Sequence, residues 1–374
     1  MQATVNIPVV QVDQSRVNIL NLDSAQLAEQ LKEMQEPRFR ADQILSWIHQ
    51  KQCLDFNLMT NLSLALREKL SLRYHITLPK IVKEFQSVDG TIKWLIQPQP
   101  GSANVIETVY IPERQRATLC ISSQVGCILD CKFCHTGRQG FNRNLNVAEI
   151  VGQVLLAKQR IHSLDPNLNA ITNIVYMGMG EPLLNEKNVT TSLGILLSDH
   201  AHGFSKYRVT VSTVGIVPAM KRLKAISSAS LALSLHAPND QLREQIIPIN
   251  SKYPVSDIIA VCREYFNNSK RKVTIEYIML DQINDSNEQA KELTRLLHDI
   301  PCKINLIPFN PFPGSAYRAS PKSTIERFQK QLMKSGFITT VRKERGSDIL
   351  GACGQLAGTV LNKRTTYARP STSN

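Results

Sequence analysis

Short apolar runs separated by helical stretches organise most of this chain. From about residue 116, runs at 117–122, 173–177, 208–212, 231–235, 272–280 and 303–308 predict strands. Helical stretches lie between them, near 147–160, 187–198, 217–225, 254–266 and 287–298. Six such units in series predict an α/β fold built on a parallel sheet: a partial (βα)6 barrel, with a doubly wound sheet as the competing architecture. The polar positions favour the barrel. Gly178, Gly180 and Glu181, then Ser212, then Ser234 and His236, then Asn310 all fall at or just past a strand's C-terminal end, where a barrel gathers its chemistry at one mouth.

Residues 1 to about 90 have a different pattern and predict a separate, mostly helical unit. Ser24 is placed to cap a helix over 25–34, Ile44, Leu45 and Ile48 give the apolar repeat of a second over 41–50, and 63–72 predicts a third. Arg38 and Arg40 fall in the turn before the second helix, where they either meet a phosphate backbone or are simply solvated. Segments 81–85 and 91–96 flank the turn dipeptide Asp89-Gly90, and 107–111 adds another extended piece. The chain thus divides into a helical accessory unit (1–90), an antiparallel β connector (91–115), an α/β core (116–356) and a basic, polar tail (357–374) expected to be disordered.

Charge narrows the partners. The 44 Lys and Arg outnumber the 31 Asp and Glu, and a net charge of +13 favours a polyanion such as nucleic acid over a neutral partner. A hydrophobic content of 42% with 20% charged residues excludes a disordered or fibrous chain. The first twenty residues lack the apolar core of a signal peptide, and no apolar run has the ~18 residues that span a bilayer. The expected location is therefore cytoplasmic, with no membrane contact. In that reducing setting clustered thiols point to metal binding or catalysis before disulfides.

Four of the eight cysteines fall between 120 and 134. Cys127, Cys131 and Cys134 make a C-x3-C-x2-C spacing just after the first strand of the sheet. Three thiolates on one loop can hold three corners of an iron–sulfur cube or three positions of a zinc. A structural zinc wants a fourth protein ligand, and no second C-x2-C or H-x3-H follows; Cys120 or His135 would be a makeshift fourth. A cluster with one iron left open is the better reading, because the missing ligand leaves a coordination position for a substrate or cofactor.

That spacing on a partial βα barrel resembles the radical S-adenosylmethionine (SAM) superfamily. The segments CISSQVGC (120–127), GFNRN (140–144), MGMGEPLLN (177–185), SLHAPND (234–240), NLIPFNPFPG (305–314) and ACGQL (352–356) resemble the RlmN family of adenine-C2 RNA methyltransferases. The resemblance implies one 4Fe-4S cluster on Cys127, Cys131 and Cys134. It also implies SAM contacts from Gly180, Glu181, Ser212, Ser234, Leu235, His236 and Asn310. Without it, the Gly180-Glu181 pair is only a turn and His236 a satisfied core histidine.

The same resemblance gives Cys353, otherwise a lone buried thiol on a Gly-rich segment suited to a mobile loop, the role of methyl carrier. One SAM methylates Cys353, a second yields a 5′-deoxyadenosyl radical that takes a hydrogen from the S-methyl group, and the resulting carbon radical adds to C2 of adenine. C2 is electron-poor, so a polar methyl transfer would fail there. Glu107, otherwise an exposed strand carboxylate, matches the family's proton acceptor, and Cys120 matches the thiol that attacks Cys353 sulfur, leaving a transient disulfide. Cys53, Cys262 and Cys302 are left to structure.

The implied substrates are an adenosine in the peptidyl-transferase region of 23S rRNA and the adenosine 3′ of the anticodon in certain tRNAs, with a cytosolic electron donor and a disulfide reductant as further partners. A buried adenine must leave its stack to reach a barrel mouth. Candidate RNA-gripping patches are Lys221, Arg222 and Lys224; Lys270, Arg271 and Lys272; and Arg342, Lys343 and Arg345, the last favoured because it leads into Cys353. Two rivals remain open from sequence: an adenine-C8 rRNA methyltransferase conferring antibiotic resistance, which shares the thiol set, and a non-catalytic RNA-binding protein whose metal is structural.

Overall fold

The computed structural model describes residues 16–165, 167–266 and 271–361. The expected disordered tail lies outside these residues from 362 onward, and so does Lys270 of the second basic patch.

Three helices open the described chain: α1 (Ser24–Glu33), α2 (Phe39–Leu45), which runs on into a wider turn over Ser46–Gln50, and α3 (Leu64–Arg73). Asp23 rather than Ser24 caps α1. Its carboxylate accepts from the Gln26 N–H at 2.9 Å while Gln26 Oε1 accepts from the Asp23 N–H at 3.1 Å, a reciprocal box stronger than a lone serine. Ser24 instead donates to Asp42 at 2.8 Å, tying α1 to α2. Arg40 lies inside α2 and donates to Gln43 (2.7 Å) and to the Asn61 carbonyl (3.2 Å), so it braces the helical unit.

An antiparallel meander follows, β1 (Lys80–Gln86), β2 (Ile92–Gln97), β3 (Ile106–Glu113) and β4 (Arg116–Cys120), with Gly90 in the β1–β2 turn at a φ of +83° that a side chain would strain. The chain then alternates: α4 (Val147–Leu164), β5 (Asn173–Tyr176), α5 (Glu186–Leu197), β6 (Val209–Thr213), α6 (Val217–Ile226), β7 (Ser230–Ser234), α7 (Val255–Tyr265), β8 (Val273–Met279), α8 (Asn287–Leu297), β9 (Cys302–Pro308), α9 (Lys322–Lys334) and β10 (Thr339–Val341). All ten strands form one sheet whose spatial order follows the sequence, and β4 to β10 run parallel. The six βα units appear as expected, and the meander of the connector is hydrogen-bonded to the same sheet through β4.

Alternation along these strands decides between barrel and doubly wound sheet. Leu119, Ile174, Val211, Leu231, Leu233, Ile275, Ile304 and Leu306 are buried in the main core. Their neighbours Thr118 and Cys120, Asn173 and Val175, Thr210, Ala232, Glu276 and Asn305 line one shared cavity. A doubly wound sheet covers both faces with helices and would be apolar on both. Here one face lines a lumen that carries Asn173, Thr210, Glu276 and Asn305, so the sheet curls into a partial barrel.

The helical unit sits against α4: Leu27, Leu31, Ile44, Leu66 and Leu70 share a core with Val147, Val151 and Leu155. At this seam His49 lies buried with Nδ1 3.2 Å from His202 Nε2, His202 Nδ1 is 2.9 Å from Lys158 Nζ, and His49 Nε2 has no partner. Burial first, then Lys158, pushes His49 down to about 3. A folded value below the unfolded one means this stability is full above pH ~6.5 and is lost as the pH falls, because the unfolded chain then binds the proton more readily. Between pH 7 and pH 5 the wild type should lose about 2 kcal/mol more than the His49→Gln variant, read as the difference of their unfolding free energies.

Candidate active site

The thiol loop leaves the sheet at β4. Its first turn is fixed by Gly126, φ +77°, where a Cβ would stand 2.0 Å from the Gly140 carbonyl oxygen, and by the Cys127 N–H donating to that oxygen at 2.9 Å. Short strands Gln124–Gly126 and Phe141–Asn144 then clamp the loop as a hairpin. GFNRN is therefore the second strand of the clamp that carries the thiols.

Cys127, Cys131 and Cys134 line one cavity of about 140 Å³ together with Gly180, Glu181, Ser212, Ser234 and His236. The sequence assigned these residues to a common site, and the strand ends bring them there. Among the described residues no three His, Cys, Asp or Glu side chains converge closely enough to hold a single metal ion. Thiols that surround a cavity rather than a point fit a multi-iron cluster better than a zinc. Burial raises all three thiols, Cys127 to about 12.

The cavity walls are held by specific bonds. Glu181 spends its carboxylate on the loops, accepting from the Leu183 N–H at 3.1 Å and the Val214 N–H at 3.0 Å, and burial pushes it up to about 7. Gly180 at φ +96° lets the chain pass Gln124, whose side-chain oxygen accepts from the Glu181 N–H at 2.8 Å. His236 accepts from the Ile278 N–H at Nδ1 (3.0 Å), which leaves its proton on Nε2. Burial, aided by Arg243, drives it down to about 3, so the ring is neutral. Leu235 lies fully buried and lines neither this cavity nor the lumen; its carbonyl accepts from Arg243 Nε at 2.9 Å.

Arg243 itself was invisible in the sequence. It is fully buried and also donates to the Ser234 and Val214 carbonyls and to Asn250 Oδ1, bracing the loops after β6 and β7. Burial lowers it to about 10, which still leaves it charged at neutral pH.

A second cavity, about 570 Å³, is the barrel lumen. Cys120 and Asn310 line it but not the thiol cavity, whereas Cys353, Glu276, Met177 and Ile307 line both. Cys353 therefore stands at the partition. Its segment is anchored rather than free: His135 N–H donates to the Gly354 carbonyl (2.7 Å), Thr136 Oγ1 to the Leu356 carbonyl (2.6 Å), Asn310 Nδ2 to the Cys353 carbonyl (3.3 Å), and Gln355 Nε2 to the Pro311 carbonyl (2.8 Å). Asn310 is thus placed on the Cys353 segment.

Two further residues at the partition carry no motif. Arg342, expected among RNA-gripping cations, turns inward: it donates to Met177 Sδ at 3.9 Å, and its charge draws Cys353 down against burial and opposes the rise of Cys120. Glu276 accepts from Ser212 Oγ at 3.3 Å and is raised by burial, with Arg342 opposing. Glu107, expected as an exposed strand carboxylate if not a base, is buried. It pairs with Lys93 at 3.4 Å, accepts from the Ala357 N–H at 3.3 Å, and lines neither cavity. Of the other patches, Arg222 is paired with Glu186 at 2.6 Å and Arg271 lies over the Phe266 ring at 4.1 Å. Cys262 and Cys302 are core residues, and Cys53 donates to the Asp55 carbonyl at 3.2 Å.

Residues 17–76 match the ribosomal RNA large subunit methyltransferase N-terminal domain, and residues 121–294 match the radical SAM superfamily. The chain is 50% identical over 350 residues, 93% of its length and 94% of the relative's, to the dual-specificity RNA methyltransferase RlmN of Marinobacter nauticus. It is also similar to a crystal structure of a radical SAM methyltransferase from Sphaerobacter thermophilus, with a TM-score of 0.83 and 41% identity, covering 91% of this chain and 99% of that one.

Proposed function

Because the chain belongs to the RlmN family of radical SAM RNA methyltransferases, we propose that Cys353 carries the methyl group and works from the partition between the thiol cavity and the lumen. The protein is a dual-specificity RNA methyltransferase that uses a 4Fe-4S cluster and SAM. One observation carries the proposal: Cys353 is the thiol that lines both cavities, facing the triad on one side and Cys120 on the other.

Cys127, Cys131 and Cys134 would hold the cluster, and the backbone at Gly180 and Glu181, with Ser212, Ser234 and His236, would receive SAM. Bound there, cluster and SAM would supply the radical chemistry that activates the methyl group carried on Cys353. The remaining chemistry belongs to the chain. Cys353, as thiolate, attacks the methyl carbon of SAM, the sulfonium C–S bond breaks and S-adenosylhomocysteine leaves, and Arg342 beside the thiolate offsets the cost of that buried negative charge. After the carbon joins adenine C2, the adduct gives its unpaired electron back to the one-electron carrier and the C2 proton leaves to Glu107. The bond from Glu107 to the Ala357 N–H ties this base to the Cys353 segment; because Glu107 lines neither cavity, the proton transfer requires that segment to shift. Cys120, as thiolate, then attacks Cys353 sulfur; the S–C bond breaks with its electron pair going to the methylene carbon, which takes a proton to become the methyl group, the methylated base departs, and a Cys120–Cys353 disulfide remains for a cytoplasmic reductant to reopen. Both thiols are free in the structure, as the start of such a cycle requires. Among the described residues no helix is long and apolar enough to cross a membrane.

The adenine carbon is checked by nucleoside mass spectrometry of 23S rRNA and tRNA from a strain lacking the gene, before and after complementation. The expected product is 2-methyladenosine in both RNAs. Appearance of 8-methyladenosine would transfer the protein to the resistance-type reaction.

A further inference from the structure

We propose that RNA reaches Cys353 through the end of the lumen formed by the strand N-termini, opposite the thiol loop. Arg114, Arg116, Lys343 and Arg345 grip the phosphates flanking the flipped adenosine there. This rests on the RNA methyltransferase reading above.

The lumen has two unlike ends. At the strand C-termini it meets Cys120, Cys353 and Asn310, and the Cys353 segment is bonded across to His135 and Thr136 of the thiol loop. Passage of a polynucleotide from that side would require those bonds to open. At the other end the lining residues are strand starts: Arg116 opens β4, Asn173 opens β5, and Thr210, Thr274 and Lys303 are the second residues of β6, β8 and β9. Neutral hydrogen-bonding groups on the way in suit the edges of a base.

A further cavity of about 480 Å³ adjoins this end, between the β3–β4 turn and the segment that follows β10. It is lined by Glu113, Arg114, Gln115, Arg116, Lys343 and Arg345, and of these Glu113, Arg116, Lys343 and Arg345 also line the lumen. Four cations stand against Glu113 in this cavity and Glu344 on the lumen side, which leaves the rim electropositive. Glu113 is paired with Arg116, and Arg345 is steadied by Asp89 at 3.8 Å. Arg114 and Lys343 are exposed. Single-stranded RNA offers a phosphate to each side of an extruded base, and contiguous cations at the opening of a base-sized cavity match that charge pattern. Lys303, exposed on β9, extends the positive field inward.

The test uses the full-length holoenzyme and a stem-loop RNA carrying the target adenosine. Binding is measured from 50 to 200 mM salt for wild type, the Arg114→Ala/Lys343→Ala double variant, and Lys330→Ala/Lys334→Ala on the exposed face of α9. Loss of two phosphate contacts should shallow the slope of log K against log salt by about 1.4, at about 0.7 per contact for a single strand, and weaken binding at low salt at least tenfold. The α9 pair should bind as wild type does. Thermal unfolding and the iron–sulfur absorbance report whether each variant is folded. Independently of any variant, 4-thiouridine placed beside the adenosine should photocrosslink to residues 113–116 or 342–345.

An unchanged slope in the folded rim variant, or crosslinks confined to the loops after the strand C-termini near 182–185 and 214–216, would overturn the proposal. Binding is read without methyl transfer. A wild type that binds with the rim-dependent slope but makes no methyladenosine would fail the catalytic reading and leave the rim standing.

Discussion

The Cys353→Ala variant is expected to lose RNA methylation by at least about 10⁴-fold while keeping its iron–sulfur absorbance. Removing a nucleophile that forms the covalent intermediate costs on this order, since no neighbouring group substitutes for it. The cluster should survive because Ala keeps the backbone bonds that anchor the segment, from His135 and Thr136 to the Gly354 and Leu356 carbonyls and from Asn310 to the residue 353 carbonyl. Anaerobic reconstitution followed by absorbance and a methyl-incorporation assay reads both quantities. Retained methylation would remove Cys353 as carrier. Loss of the cluster together with activity would instead make Cys353 a ligand and support a structural metal.

Cys120→Ala is expected to fail at a different stage. Addition to the adenine would proceed, because Cys120 lines only the lumen side of the partition and is apart from the thiol cavity. Release would not, because no other described cysteine outside the triad lines either cavity with Cys353. The enzyme should therefore accumulate as a protein–RNA adduct, seen as a shifted band on a denaturing gel under reducing conditions, with multiple turnover lowered at least about 10³-fold. Burial and the neighbouring Cys353 raise the Cys120 thiol, and Arg342 opposes that rise, so Arg342 aids formation of the attacking thiolate. Normal turnover without an adduct would end the resolving role.

Much of this was legible in the sequence because it is local. The core strands were placed to within about two residues, since buried parallel strands read as apolar runs whatever surrounds them. The thiol loop and the polar strand ends were legible for the same reason: spacing along one segment fixes which side chains share a face. What could not be read depends on contacts distant in sequence. Arg342 looks like one more surface cation beside Lys343 and Arg345, and only the path of the chain after β10 turns it toward Met177, 165 positions earlier. Arg243 lies in a short polar helix, Asp240–Ile246, and its burial under the β6 and β7 loops has no periodic signal. Glu276 breaks an apolar strand, yet its meaning emerges only when β8 is curled against β6. β10, three residues long, is too short for any alternation to show.

The central claim, that the methyl group passes through Cys353 by radical chemistry at the triad, is tested most directly by one product ratio. The reconstituted enzyme, given SAM, dithionite and RNA lacking the modification, should form S-adenosylhomocysteine, 5′-deoxyadenosine and 2-methyladenosine in equal amounts. Methylated RNA without 5′-deoxyadenosine, or a colourless zinc protein that forms neither product, would contradict it.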